Sequence, residues 1–286
     1  MKKKLLTAAL LTVTALTLVV ASVLGTIAYL TATAGVANTF TVGKVAISMT
    51  ETAVDSKGVA IPGVARTDKN SYHLTPTQKY IKDPTIFIDP SLTNNDDMYL
   101  FVKSHNEIRK IEAGNQPGAS DTVKKTSMRA QMEANGWVPV LCSEDGLEII
   151  WVYGTRDATS GYIVPTKVSK EFKQTRKDYQ TGVASTAANA GEFLICSEFT
   201  IATGVSLNMY NGVSVTFTAF AVQATGVTVE NDTTNATVRN GWSAIVANTP
   251  NNVGIPNAKN PYDKTLQDEF AVSNGKFFLD AELSGN

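Results

Sequence analysis

The chain has 286 residues, of which 43% are hydrophobic, with 25 lysines and arginines against 26 aspartates and glutamates. This length allows one large domain or two modest ones, and the apolar content suffices for a core that needs no disulfide framework. The formal charge of −1 does not provide the basic face that general nucleic-acid binding requires, so we expect that the protein requires no nucleic acid as a partner.

The N-terminus has the three parts of an export signal. A basic head of three lysines at positions 2–4 precedes an apolar run over residues 5–24, and the small residue Ala28 follows. We predict a signal peptide over residues 1–28, cleaved between Ala28 and Tyr29, and a secreted protein of the cell surface or extracellular matrix. Ala32-Thr33-Ala34 is a second candidate cleavage site. An uncleaved signal would anchor the chain in the membrane, because its apolar run approaches spanning length.

The residues after the leader predict mainly β-strands. Residues 98–102 are apolar on both faces, as in a strand buried between two layers. Alternating apolar and polar residues over 192–201 and 213–223 predict half-buried antiparallel strands. Many short strands with few helices predict an all-β sandwich for residues 29–248.

The clearest helix signal surrounds Met128 and Met132, which share one helix face. A hydroxyl residue at 126 or 127 can cap its start, and Asn135-Gly136 can end it. We interpret the methionine stripe as core packing rather than as a binding surface. A second short helix is predicted around residues 242–247.

Residues 155–191 are polar and locally basic, and we interpret them as an insertion. One interpretation is a solvated loop or protruding hairpin. The other is a patch that binds an anionic polymer such as teichoic acid or extracellular DNA. The basic residues of the candidate patch are Lys167, Lys170, Lys173, Arg176 and Lys177.

Residues 249–286 are interpreted as a C-terminal linker and tail. The stretch 249–261 is rich in asparagine and proline. Residues 270–279 could form a small hairpin around Asn274-Gly275.

The residues with potential chemistry are few. Cys142 and Cys196 are the two cysteines, and in an exported protein they could form a disulfide or remain two buried thiols. His73 and His105 are the two histidines, and neither belongs to a His-Glu-x-x-His pair. There is no Gly-x-Ser-x-Gly motif, phosphate-binding glycine loop or Cys-x-x-Cys pair. We therefore predict no catalytic, metal or cofactor site.

Several short motifs begin in the leader and continue along the chain. The N-terminal ones are Lys2-Lys3-Lys4, Gly25-Thr26-Ile27-Ala28-Tyr29-Leu30, Asn38-Thr39-Phe40-Thr41-Val42-Gly43 and Val45-Ala46-Ile47-Ser48-Met49. The others are Asn70-Ser71-Tyr72-His73-Leu74, Lys82-Asp83-Pro84-Thr85, Tyr99-Leu100-Phe101-Val102-Lys103, Ala134-Asn135-Gly136-Trp137 and Thr218-Ala219-Phe220-Ala221-Val222-Gln223. With these motifs, residues 1–247 resemble the TasA/camelysin family of secreted proteins of Gram-positive bacteria, which are exported through the specialised signal peptidase SipW.

The resemblance implies a jelly-roll-like antiparallel β-sandwich that assembles into extracellular fibres of a biofilm matrix. It also implies that residues 29–42, with Tyr29, Phe40 and Val42, are donated as a strand to the next subunit. This segment is uncharged and rich in threonine, and an unpaired sheet edge offers backbone groups that such a strand can satisfy. Thr31-Ala32-Thr33 departs from the acidic or asparagine residue usual in the family, which leaves the cleavage position open.

We therefore expect a structural subunit that polymerises with itself, with or without a second matrix subunit, and that meets the signal peptidase during export. One alternative is a monomeric cell-surface adhesion module that binds anionic wall polymer through the basic segment from Lys167 to Lys177. Another is a secreted metallopeptidase of the camelysin type that would use His73 and His105. The resemblance alone does not transfer that peptidase activity, because no catalytic motif accompanies it.

Overall fold

A computed structural model describes residues 31–42, 45–91, 97–157, 160–178, 181, 183–184, 189–249, 253–255 and 258, and for residues 31–42 it describes the backbone. The predicted signal peptide, its cleavage site at Ala28 and Tyr29, and the predicted hairpin at 270–279 lie outside these residues.

Twelve strands and three α-helices make up the described fold. The strands are β1 (Thr31–Val42), β2 (Ile47–Thr50), β3 (Lys69–His73), β4 (Lys79–Ile81), β5 (Thr85–Ile88), β6 (Met98–Asn106), β7 (Trp137–Cys142), β8 (Glu148–Arg156), β9 (Ile163–Pro165), β10 (Glu192–Leu194), β11 (Glu198–Thr200) and β12 (Val215–Gln223). The helices are α1 (Asp121–Lys124), α2 (Met128–Ala134) and α3 (Ala236–Asn248), and two 3-10 turns cover Arg109–Ile111 and Ala113–Asn115.

The strands form one large sheet and two small ones. The large sheet has the order β3-β1-β12-β6-β8-β7, and β9 pairs with β8. The small sheets have the orders β10-β5-β2 and β11-β4. The described chain is thus mostly β with few helices, and its strand pairs are antiparallel except for β1 with β12. The predicted all-β class is confirmed at this level.

The main core lies between one face of the large sheet and the small sheets. Leu100, Trp151 and Phe217 of the large sheet are buried there together with Ile86 of β5 and Phe199 of β11. Aromatic rings stabilise this packing, with Tyr80 stacked on Phe199 at a centroid distance of 4.9 Å.

A second core covers the opposite face of the large sheet. Phe101 of β6 and Phe220 of β12 pack there against Trp242 of α3, with ring centroids 5.9 and 5.7 Å from the indole. The central strands are therefore buried on both faces, which explains the continuous apolar run at residues 98–102. The prediction of a strand between two layers is confirmed by the burial of all five residues.

Helix α2 begins and ends at the residues predicted to cap it. The Ser127 side chain accepts a hydrogen bond from the Ala130 backbone N–H at 3.2 Å, and Gly136 follows the helix at a φ of +86°. Met128 and Met132 are both buried in the main core. The interpretation of the stripe as core packing is confirmed.

Helix α3 is longer than the predicted stretch 242–247. It begins after Asn235, whose φ is +62°, and it buries Val238, Trp242 and Ile245 at the spacing of one helix face. Asn240-Gly241 resembles a helix end in the sequence. In the structure Gly241 allows close packing instead, since a Cβ there would lie 3.0 Å from the Phe101 ring.

The residues described beyond α3 are not a detached linker. Ile255 and Ala258 are buried in the second core, and Lys103 Nζ donates to the Val253 carbonyl at 3.4 Å. The start of the predicted tail is therefore attached to the domain. Among the described residues, no helix is both long and apolar enough to cross a membrane.

The turn before β3 contains a glycine that should be difficult to replace. Gly58 has a φ of +75°, and a Cβ there would lie 2.8 Å from Tyr80 Cα. We expect Gly58→Ala to lower the free energy of unfolding by about 2–4 kcal/mol, because left-handed strain adds to overpacking. Gly63→Ala is the matched control, since Gly63 has the same φ but no atom within 4 Å of a Cβ. Equal losses for both variants in urea titrations would contradict this account.

Candidate functional site

The segment predicted as a donor strand forms β1 in the interior of the large sheet. Its first half pairs antiparallel with β3, from Thr31 opposite His73 to Gly35 opposite Lys69. Its second half pairs parallel with β12, from Val36 opposite Phe217 to Val42 opposite Val222, with a register shift between Ala37 and Phe40. One segment therefore bonds to two strands that are distant in the sequence.

Strand β12 pairs with β1 along one of its two edges. Its other edge is paired with β6 over its whole length, from Val215 opposite Asn106 to Gln223 opposite Met98. Phe217, Ala219 and Ala221 of β12 are buried in the main core, whereas Phe220 and Val222 are buried in the second. Without β1, the backbone edge of this buried strand would have no partner in the sheet, which is costly.

The predicted donor residues occupy defined places in this arrangement. Phe40 pairs with Phe220 and Val42 with Val222, whereas Tyr29 lies outside the described residues. Within the single chain described here, the strand fills a groove of its own subunit. The groove between β3 and β12 is the candidate site, and a strand of the same sequence from another copy could occupy it only after the resident strand leaves.

A buried ion pair lies next to the β3 wall of this groove. Lys82 Nζ lies 2.8 Å from Glu51 Oε2, and both side chains have 0% exposure. The ammonium also lies 5.7 Å from the centre of the Phe217 ring. Burial lowers the pKa of Lys82 and raises the pKa of Glu51, and each partner opposes the shift of the other. Burial of this cluster therefore favours neutral forms of both groups.

Asn70 and Tyr72 project from β3 into the same buried region. Asn70 Nδ2 donates to the Thr52 carbonyl at 2.8 Å, and its Oδ1 accepts the Val54 backbone N–H at 3.0 Å. The Asn70 amide also stabilises the charged form of Glu51. Burial, with the Glu51 charge second, raises the pKa of Tyr72, whose hydroxyl donates to the Ile81 carbonyl at 2.9 Å. Sequence reasoning missed this cluster, because its members occupy separate short motifs.

The predicted insertion at residues 155–191 contacts the rest of the domain at several of its described residues. Strand β9 pairs with the end of β8, and Val168 exchanges backbone hydrogen bonds with Met98 at 2.8 and 2.9 Å. Gln174 is buried and bonds to the backbones of Asn135 and Leu194. These contacts attach residues 163–165 and Val168 to the large sheet, and they attach Gln174 to the end of α2 and to β10 of a small sheet.

The candidate basic patch is only partly exposed. Lys167, Lys173 and Lys177 are exposed, whereas Lys170 and Arg176 are half-buried. Burial is the main cause that lowers the pKa of Arg176, and its Nε donates to Gln174 Oε1 at 3.2 Å. Binding of an anionic polymer by these residues remains a prediction.

The two cysteines do not form the candidate disulfide in this structure. Cys142 ends β7 of the large sheet, whereas Cys196 lies between β10 and β11, and both are buried thiols outside any disulfide. Cys196 Sγ donates to the Lys82 carbonyl at 3.3 Å. Burial raises the pKa of the Cys196 thiol, which makes it a poor nucleophile.

The two histidines lie on different strands of the large sheet. His73 ends β3, whereas His105 lies on β6, with its ring nitrogens 3.6 Å from Glu107 and 3.8 Å from Glu148. Strands β1 and β12 lie between β3 and β6, which corresponds to a separation of about 14 Å at ordinary strand spacing. Within the described part of the chain, no group of three or more histidine, cysteine, aspartate or glutamate residues could hold a metal ion.

A small cavity of about 30 Å³ lies in the main core, and Phe217 forms part of its lining. Its polar lining includes Arg109, Glu112 and Arg129, and Trp151 forms part of its apolar wall. This volume holds one or two water molecules.

Glu112 organises the residues beside the cavity. Its Oε2 accepts hydrogen bonds from the side-chain amides of Asn106 at 3.0 Å and Asn115 at 2.8 Å, and its Oε1 accepts the Met128 backbone N–H at 3.1 Å. Burial raises the pKa of Glu112 to about 7, although these donors and Arg109 oppose the shift. The carboxyl connects a 3-10 turn to the start of α2.

Comparisons of the chain with protein-family models, curated proteins and solved structures gave no match.

Proposed function

We propose that the chain is a secreted structural subunit of cell-surface or biofilm-matrix fibres, a jelly-roll-like β-sandwich of the TasA/camelysin type. In this proposal the subunits assemble when β1 of one copy fills the groove between β3 and β12 of the next. The observation that carries the proposal is the position of β1, which follows the predicted signal directly and completes the large sheet along two separate strands.

Exchange of β1 between copies conserves the interactions seen in the single chain. Each subunit would lose its own strand and gain an identical one, so the same backbone pairs with β3 and β12 would form with the strand of the neighbouring copy. Such an exchange is a domain swap through the connection between β1 and β2. Because each copy gives a strand to one neighbour and receives a strand from another, the contact does not close and produces a filament.

Self-pairing and exchange compete within this scheme. A strand tethered to its own groove has a high effective concentration there, which favours the monomer when the protein is dilute. Crowding at the cell surface would favour exchange. While the leader is attached, the N-terminal end of β1 stays bound to the membrane, so cleavage by the signal peptidase would free the strand to exchange.

A pair of engineered cysteines tests the proposal. Thr33 and Ser71 are register partners in the antiparallel pair of β1 and β3, and Ser71 is exposed. Opposite residues of such a pair are close enough for a disulfide. In mature T33C/S71C protein oxidised as a dilute monomer, the locked strand should prevent filaments in negative-stain electron micrographs, and reduction should restore them.

The same variant distinguishes exchange from other modes of assembly. If it is assembled while reduced and then oxidised, the disulfides should join neighbouring copies and give a ladder of covalent oligomers on non-reducing gels. The single variants T33C and S71C are the controls, and the buried native thiols should not react. Filaments formed by the locked monomer, or oxidation of filaments that yields only monomers, would contradict strand exchange.

A further inference from the structure

Three groups with complementary chemistry meet beside the β3 wall of the groove. They are an amine on Lys82, a carboxyl on Glu51 and a carboxamide on Asn70, and each belongs to a buried residue. We propose that Lys82 Nζ and the side-chain carbon of Asn70 become joined by an intramolecular isopeptide bond, with Glu51 transferring the protons. The bond needs only the folded chain, so it is independent of the fibre proposal.

Lys82 is placed to act as the nucleophile. Its side chain is fully buried, and its Nζ makes a 2.8 Å contact with Glu51 Oε2. The surroundings include the Phe217 ring, 5.7 Å from Nζ. Burial lowers the pKa of Lys82, which increases the fraction of neutral amine, and only the neutral amine has the lone pair that attacks a carbonyl carbon.

The side-chain carboxamide of Asn70 is the electrophile, and two backbone hydrogen bonds hold it in place. The Val54 backbone N–H donates to Oδ1 at 3.0 Å, where it polarises the carbonyl and would stabilise an oxyanion on that atom. The Thr52 carbonyl accepts from Nδ2 at 2.8 Å. These two backbone contacts fix the plane of the carboxamide, which lowers the entropic cost of reaction with a neighbouring amine.

Glu51 is placed to transfer protons between the other two groups. Its Oε2 contacts Lys82, whereas its buried Oε1 has no hydrogen-bond partner among the described residues. The Asn70 side-chain amide interacts with the same carboxyl and opposes the rise in its pKa. A buried carboxyl with a raised pKa is a stronger base than an ordinary carboxylate, so it can accept a proton and return it within the reaction.

The reaction balances without a cofactor or an oxidant. The lone pair of Lys82 Nζ attacks the side-chain carbonyl carbon of Asn70, and a new carbon–nitrogen bond forms. Glu51 takes a proton from Nζ and delivers a proton to Asn70 Nδ2. The bond between that carbon and Nδ2 then breaks, and ammonia leaves. The products are one amide, one ammonia molecule and Glu51 in its original state.

The position of the bond gives it a structural consequence. Asn70 lies on β3 of the large sheet, and Lys82 lies between β4 and β5 of the two small sheets. The amide would therefore join the large sheet covalently to the small sheets at the strand that receives the first half of β1. Because the two cysteines form no disulfide, this amide would be the covalent cross-link between the large sheet and the small sheets.

Intact-mass spectrometry of the mature wild-type protein tests the proposal. We expect a mass lower than that of the sequence by one ammonia molecule. Tryptic digestion should give a branched peptide that joins Lys82 to Asn70, because trypsin does not cleave after an acylated lysine. A wild-type mass without this deficit would overturn the proposal and leave a simple ion pair. Loss of one water with a link from Lys82 to Glu51 would also overturn it.

Variants assign the roles of the three groups. Lys82→Met and Asn70→Ala should each abolish the deficit, and Glu51→Gln should abolish it or slow its appearance at least tenfold after refolding. Lys79→Met is the matched control, because the Lys79 side chain is 57% exposed and forms an ion pair with Glu198, and the mass deficit should persist. A deficit that survives Lys82→Met would overturn the assignment. The wild-type mass decides the matter even if a variant fails to fold.

Discussion

Removal of residues 31–42 from the mature chain is expected to destabilise the monomer strongly, and a synthetic peptide of residues 31–42 is expected to restore it. The deletion exposes the backbone edges of β3 and β12 and opens the large sheet between them. Unsatisfied backbone groups on a strand that is buried on both faces are costly. Chemical denaturation of the truncated chain, with and without peptide, measures both effects.

The peptide should act by mass action, since it can bind the folded groove but has no site in the unfolded chain. At a peptide concentration of one hundred times its dissociation constant, the free energy of unfolding should rise by about 3 kcal/mol. The same groove would accept the strand of a neighbouring copy, so rescue by the peptide is the monomeric equivalent of the proposed exchange.

A peptide with proline in place of Thr41 is the matched control. Thr41 pairs with Ala221 of β12, and proline there removes a backbone donor and restricts the strand. A scrambled peptide of the same composition tests for nonspecific binding. If the truncated chain is as stable as the mature chain, or if all three peptides act alike, β1 does not fill a specific groove.

The regular part of the fold could be predicted from local patterns. Alternation over residues 213–223 predicts β12, and the structure places Phe217, Ala219 and Ala221 on one buried face. The apolar run at residues 98–102 predicts a doubly covered strand, and β6 is one. These features depend on periodicity within a few residues, which the sequence displays directly.

Features that depend on distant partners could not be predicted in the same way. Lys82 precedes Asp83-Pro84 and resembles an exposed turn residue, yet it is fully buried because Glu51, 31 residues earlier, neutralises it. Similarly, Gln174 lies in a polar stretch but is buried because it satisfies backbone groups of Asn135 and Leu194. The parallel pairing of β1 with β12 has no local signal at all.

Glu112 should make the stability of the protein fall as the pH rises towards neutrality. Burial raises its pKa from 4.5 to about 7 in the folded chain. Between these values the folded protein holds a proton that the unfolded chain has lost. The contribution of this proton to the free energy of unfolding amounts to about 3 kcal/mol. It is fully present below pH 4.5 and is lost as the pH rises through 7.

Glu112→Gln removes the titrating group and should remove this part of the pH dependence. Glu51, whose pKa burial also raises, contributes a slope of the same sign, so the difference between the wild type and the variant isolates Glu112. The measurement is the free energy of unfolding from urea titrations at intervals between pH 4 and 8. Glu230→Gln, at an exposed position, is the matched control and should retain the wild-type slope.

Glu112→Ala separates the hydrogen bonds from the charge. It leaves the amides of Asn106 and Asn115 and the first backbone N–H of α2 without their common acceptor. Each unsatisfied donor costs about 1–3 kcal/mol, so this variant should be less stable than Glu112→Gln at every pH. If Glu112→Gln keeps the slope of the wild type, the carboxyl does not titrate in this range. If alanine and glutamine are equivalent, the three donors find other acceptors and Glu112 does not organise this region.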